Sequence, residues 1–173
     1  MQDRPVYDSY PLSLVFLCNL VPLAIYALGA YLLAGFGVWA LVLYLLYCLW
    51  VEVRTLREAC VDCYYYGKWC GLGKGRLCAL LFKQGNPERF AGRHVSWADM
   101  LPELMVFLLP LAGGIVRLII HFAWPLLLAL AVLVLLNFLG NAVTHGAVLC
   151  RFCRQRAIGC PAQELFGGKP ARY

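Results

Sequence analysis

The chain reads as an all-helical integral membrane protein with four transmembrane helices, arranged as two hairpin repeats, and a cysteine-rich layer at one face of the membrane. Three observations predict this. The composition is 62% hydrophobic and only 14% charged over 173 residues, well outside the range of a soluble domain of that size. Four apolar stretches each approach or exceed the roughly 20 residues a helix needs to cross a hydrocarbon core. A Cys-x2-Cys-x6-Cys triad occurs twice, as Cys60, Cys63, Cys70 and as Cys150, Cys153, Cys160, each time directly after a pair of those stretches.

The expected spans run from Pro11 to Ala34, Phe36 to Arg54, Trp97 to Ile120 and Pro125 to Leu149. Residues 1–10 form a short N-terminal segment with Asp3, Arg4 and Asp8, and lack a small-x-small cleavage pattern, so the first span is expected to be retained rather than removed as a signal. Ser96-Trp97-Ala98-Asp99 has capping-box spacing and starts the third span. Pro125 suits the first turn of the fourth, where its missing amide proton costs nothing. Pro22 and Pro110 fall inside spans and predict kinks, the latter beside Gly113-Gly114.

The organisation is therefore 1–10 N-terminal segment, 11–57 first hairpin, 58–95 basic cysteine-rich segment, 96–149 second hairpin and 150–173 basic cysteine-rich tail. Thirteen of the fifteen Lys and Arg residues lie between Arg54 and Arg93 or after Cys150. With four spans these regions share a side with the N-terminus, and the positive-inside rule makes that side cytoplasmic, in a plasma or inner membrane. The net charge of +6 then reports topology and attraction to lipid, with no aromatic and basic pattern pointing to nucleic acid. Two hairpins in parallel sense predict a pseudo-two-fold axis along the membrane normal that brings the triads together.

Metal ligation is the leading expectation for the cysteines, because reducing cytosol disfavours a disulfide framework and Cys-x2-Cys lets two thiolates reach one ion. Cys60, Cys63, Cys70 and Cys78 could complete one site; Cys150, Cys153 and Cys160 could be completed by His145 or by a residue from the other half. Structural zinc and an iron-sulfur cluster, with electron transfer in the second case, both stay open. Cys18 and Cys48, single residues inside spans, read as small apolar packing groups. Thiol-disulfide chemistry is a further alternative, with Arg151 and Arg154 favouring thiolate at Cys150 and Cys153. Quinone-coupled four-helix membrane oxidoreductases are similar in architecture only, and resolve their reactive pairs toward the oxidising side, opposite to the orientation derived above.

The spans also carry polar groups. Asn137, Asn141 and His145 stand four apart on the fourth span and are expected to face the bundle interior, where Asn19 or backbone carbonyls could receive them. A transporter or channel built on that stripe, with the cysteines as a clip, is the opposing function class. Arg117 and His121 form a similar pair near the other end of the third span, and Glu52 can pair with Arg54, Arg57 or a residue of another helix. The run Gly71 to Arg76 lacks Walker A chemistry and reads as a basic interface turn, followed by an amphipathic piece from Cys78 to Lys83 expected to lie on the membrane. Lys74, Arg76 and Lys83 are candidates for an anionic lipid headgroup, and Asn86-Pro87-Glu88-Arg89 for a capped helical turn. So small a bundle has little interior, which predicts a homo-oligomer or a larger membrane complex.

Overall fold

The computed structural model describes residues 6–86, 89–90, 92–93 and 96–161. Pro87 and Glu88 of the expected cap, and Lys169 and Arg172 of the tail, lie outside the described residues. Among the described residues, four helices are long and apolar enough to cross a membrane. Helix α1 spans Leu12–Ala34 and α2 Val38–Glu58; α4 spans Trp97–Ile120, and α5 begins at Trp124–Leu135 and continues helically to Leu149. Two short helices, α3 (Lys74–Leu81) and α6 (Arg154–Ile158), lie in the cysteine segments, with a 3-10 turn at Cys60–Asp62.

The local rules explain the ends of these elements. The Ser96 amide donates to Asp99 Oδ2 at 2.9 Å and the Ala98 amide to Ser96 Oγ at 3.3 Å, so the capping box starts α4 at Trp97. Pro125 occupies the first turn of α5. Gly37, at φ 106°, turns the chain between α1 and α2 in a conformation that side chains rarely adopt.

Helix α1 is central and packs against α2, α4 and α5, while α2 also meets α4. One apolar core fills the space among α1, α4 and α5, with Ile25, Leu32, Phe107, Leu126, Leu130 and Leu133 buried. A second lies among α1, α2 and α4 around Tyr44, Cys48, Val51 and Val106. Pro110 has no N–H, so the carbonyl of Val106, four residues earlier, loses its usual intrahelical donor. The buried Tyr44 hydroxyl replaces it, donating to Val106 O at 3.0 Å. Gly29 makes this possible, since a Cβ there would collide with the Tyr44 hydroxyl.

The last span departs from α geometry over two wider π-helical stretches, Leu136–Gly140 and Ala142–Leu149. In lipid every backbone group must be satisfied internally. The Cys150 amide accordingly reaches back five residues to His145 O at 2.8 Å. Asn141 Nδ2 donates to Asn137 O at 3.0 Å and Thr144 Oγ1 to Gly140 O at 2.9 Å, both along their own helix.

A candidate cysteine site tied by tyrosines at one end of the bundle

The N-terminal segment, the loop after α2 and the segment after α5 all meet at the same end of the bundle. Residues 7–10 run between the two cysteine segments. The Tyr7 amide donates to Phe152 O at 3.1 Å and the Tyr10 amide to Trp69 O at 2.8 Å. The Tyr10 hydroxyl donates to Leu149 O at 2.6 Å. Tyr65, almost fully buried, donates its hydroxyl to Tyr7 O at 2.6 Å and accepts from the Arg154 amide at 2.9 Å, so one phenol joins three segments. The Tyr64 amide donates to Oε1 of buried Gln155 at 2.7 Å.

These contacts form a continuous aromatic floor. Ring centroids are 5.6 Å apart for Phe152 and Tyr7, 5.2 Å for Tyr7 and Tyr10, 5.6 Å for Tyr10 and Tyr65, and 5.2 Å for Tyr65 and Tyr64, distances at which aromatic pairs attract. Outside it, Lys68 and Arg154 lie over the Tyr64 ring, and Arg154 also pairs with Asp8, which accepts from the Tyr64 hydroxyl at 2.9 Å. The Tyr64 and Arg154 hydrogen bonds hold the Asp8 carboxyl below its ordinary range.

The cysteines sit in and around this floor. Cys63 and Cys153 pack against its aromatic core, as does Cys70. Burial pushes the Cys63 thiol up to about 11, and Cys153, Cys70 and Cys160 add to that shift by repulsion. Cys63 thus has electrostatic neighbours in both triads. Burial likewise raises Cys153 and Cys78. Opposing that, backbone N–H groups point at sulfur: Tyr65 toward Cys63, Gln155 and Arg156 toward Cys153, and Gly75 toward Cys70 Sγ at 3.3 Å. Cys78 turns away, donating to Leu56 O at 3.4 Å with no exposed surface. Cys150 is exposed, while Cys60 and Cys160 are half-buried.

Glycines shape the first segment. Gly73 adopts φ 71° before α3, and Gly75 is pressed against backbone, with Lys68 O 2.8 Å from where its Cβ would stand and Tyr65 O closer still. The Gly67 amide donates to Gly75 O at 3.0 Å and closes the loop.

Other residues singled out by the sequence lie elsewhere. Glu52 pairs with neither Arg54 nor Arg57; Lys74 Nζ reaches its Oε2 at 2.8 Å and the Tyr26 hydroxyl its Oε1 at 2.5 Å, while Arg54 pairs with Glu58. Asn19 Nδ2 bonds Val15 O at 2.7 Å and Leu72 O at 3.2 Å, joining α1 to the first cysteine segment. His145 is exposed. Arg117 folds over Gly35 and donates to Leu32 O at 2.9 Å, capping α1, and His121 lies exposed just past α4. Among the described residues, no group of three or more His, Cys, Asp or Glu side chains is drawn together as a ready ion cage.

Tyr7, Tyr10, Tyr65 and Gln155 organise the site, although none of them belongs to a motif read from the sequence. No protein-family model, curated protein or solved structure matches this chain.

Proposed function

We propose that this membrane protein holds one soft metal ion, as structural zinc, through thiolates contributed by both triads, and that the ion fastens its two hairpins together at the cytoplasmic face. The observation that supports the reading is the packing of Cys63, Cys70 of its own triad and Cys153 of the other against one aromatic floor. With Cys160, those sulfurs would make an all-thiolate set that leaves no open position for water, so the ion would clamp rather than hydrolyse. Burial favours the protonated thiol at Cys63 and Cys153, so binding would release protons and the charge of the ion would offset the burial penalty on thiolate. The amide N–H groups aimed at Cys63, Cys70 and Cys153 support thiolate in the way outer-shell donors do at metal centres.

The arrangement of neighbours favours reading the hairpins as repeats: α1 meets α2 as α4 meets α5, and α1 meets α5 as α2 meets α4. An iron-sulfur cluster makes the same ligand demand and would convert the clamp into an electron carrier. The transporter reading draws no support from Asn141, whose side chain bonds along its own helix.

Protein purified without oxygen should contain about one zinc per chain and no visible chromophore. Cys63→Ser and Cys153→Ser should each remove that ion, since the site is shared. Retention of stoichiometric metal in either variant would show two independent sites. Iron with sulfide and a brown colour would put a cluster on these ligands instead. Metal-free protein with every thiol alkylatable in the native state would defeat the proposal, and a disulfide found there would favour thiol exchange.

A further inference from the structure

Helix α3 presents two unlike faces. Gly75 and Cys78 are buried against Tyr65 and the end of α2. Leu77, Leu80 and Leu81 are 48%, 79% and 59% exposed. Leucines so exposed on a cytosolic surface would meet water; the position of α3 indicates another neighbour. Its first residue, Lys74, is tied at 2.8 Å to Glu52, which lies six residues before the end of α2 and also holds Tyr26 of α1. At about 1.5 Å per residue that is one and a half turns inside the helix end. Helix α3 therefore starts at the depth where the spans leave the hydrocarbon. Its far end is pinned too, the Tyr66 hydroxyl donating to Phe82 O at 2.7 Å.

The charges around α3 complete the pattern. Lys74 is spent on Glu52, which removes it from the headgroup candidates. Arg76 is exposed and lies 5.1 Å over the Trp69 ring, and Lys83 is exposed just beyond the last turn. An apolar face flanked by cations is the form of a helix lying in the membrane interface beside anionic lipid.

We propose that α3 is an interfacial helix, with Leu77, Leu80 and Leu81 inserted among the acyl chains and Arg76 and Lys83 against anionic headgroups. The occupant of this face is the bilayer, not a second protein. The inference is independent of the metal site, because it rests on the exposed face of α3 while Cys78 lies on the other.

The test places the photoreactive residue p-benzoylphenylalanine at position 80 of the full chain, reconstituted in vesicles of phosphatidylcholine alone or with about one third phosphatidylglycerol. Position 43, exposed on α2 within the span, serves as the lipid-facing control. Illumination should give phospholipid adducts at both positions by mass spectrometry. Phosphatidylglycerol should raise the yield at position 80 by about twofold, and R76Q/K83Q should remove that increase. A protein-protein crosslink at position 80, or the absence of phospholipid adducts there while position 43 gives them, overturns the proposal. Equal yields in the two vesicle types overturn its headgroup part.

Discussion

The two ends of this bundle are built on different principles. At the cysteine end three chain segments, distant in sequence, are joined by buried phenols and backbone amides. At the other end each hairpin closes through a few residues, at Gly35–Gly37 and at His121–Ala123, and Arg117 reaches across from α4 to α1. A buried hydroxyl whose bonds are lost leaves partners that water cannot reach, whereas a guanidinium at a loose turn can swing aside. The difference teaches that intolerance to change should follow backbone crowding and buried polar ties, and not simply closeness to a turn.

The sharpest comparison is between two glycines. Gly75→Ala drives a Cβ into the backbone carbonyls of Tyr65 and Lys68, which cannot move without displacing the cysteine loop. Overpacking of this kind should cost about 3 kcal/mol, read as a lowered denaturation midpoint in detergent. Gly35→Ala meets only the tip of the Arg117 side chain and should cost less than about 1 kcal/mol. Equal losses would erase the distinction between the ends.

Tyr65→Phe should follow, at about 2 kcal/mol, because it strands the Tyr7 carbonyl and the Arg154 amide together. Inside the membrane, Tyr44→Phe should cost about 1 kcal/mol, and less in a Pro110→Ala background, where the new amide can serve Val106 O. A double-mutant cycle on thermal stability checks this, and additive losses would mean that Tyr44 does not act through that carbonyl.

Two smaller effects depend on pH. Alkylation of Cys63 in metal-free protein should accelerate about tenfold per pH unit until it levels near about 11. Asp8 has a depressed carboxyl, so its contribution is complete above the ordinary carboxylate range and is lost as pH falls through its lower folded value. The stability difference between wild type and Asp8→Asn should shrink on acidification below about pH 4. It should stay the smallest of the set, since the group is exposed.

Much of the membrane architecture was legible because it rests on local rules. Bilayer thickness fixes span length, and Ser96 with Asp99 marks the start of α4 at Trp97, where the structure has it. Helix α3 shows the limit: it begins at Lys74 rather than near Cys78, since Gly73 closes the turn and Glu52, on another helix, draws Lys74 into place. The π-helical winding after Leu135 was not legible for a related reason, as a period of 3.6 was assumed through Asn137, Asn141 and His145. The doubled triad pointed to where the site lies, but not to its scaffold. Tyr7, Tyr10 and Gln155 carry no motif; their roles exist only once the chain ends meet.

The ties across the cysteine end also set an order of assembly. Tyr10 bonds a carbonyl 139 residues away, and Tyr7 pairs beyond it at Phe152. The first hairpin can insert while synthesis continues, and its N-terminal segment can already meet Tyr64, Tyr65 and Trp69, but its ties to Leu149 and Phe152 wait until α5 has emerged. Closing so large a loop costs only about (3/2)RT ln n, a penalty that grows slowly with length. The wait is consequently one of time more than of free energy. Until then the aromatic floor beside Cys63 and Cys70 lacks its Phe152 end, and Tyr65 lacks the Arg154 amide.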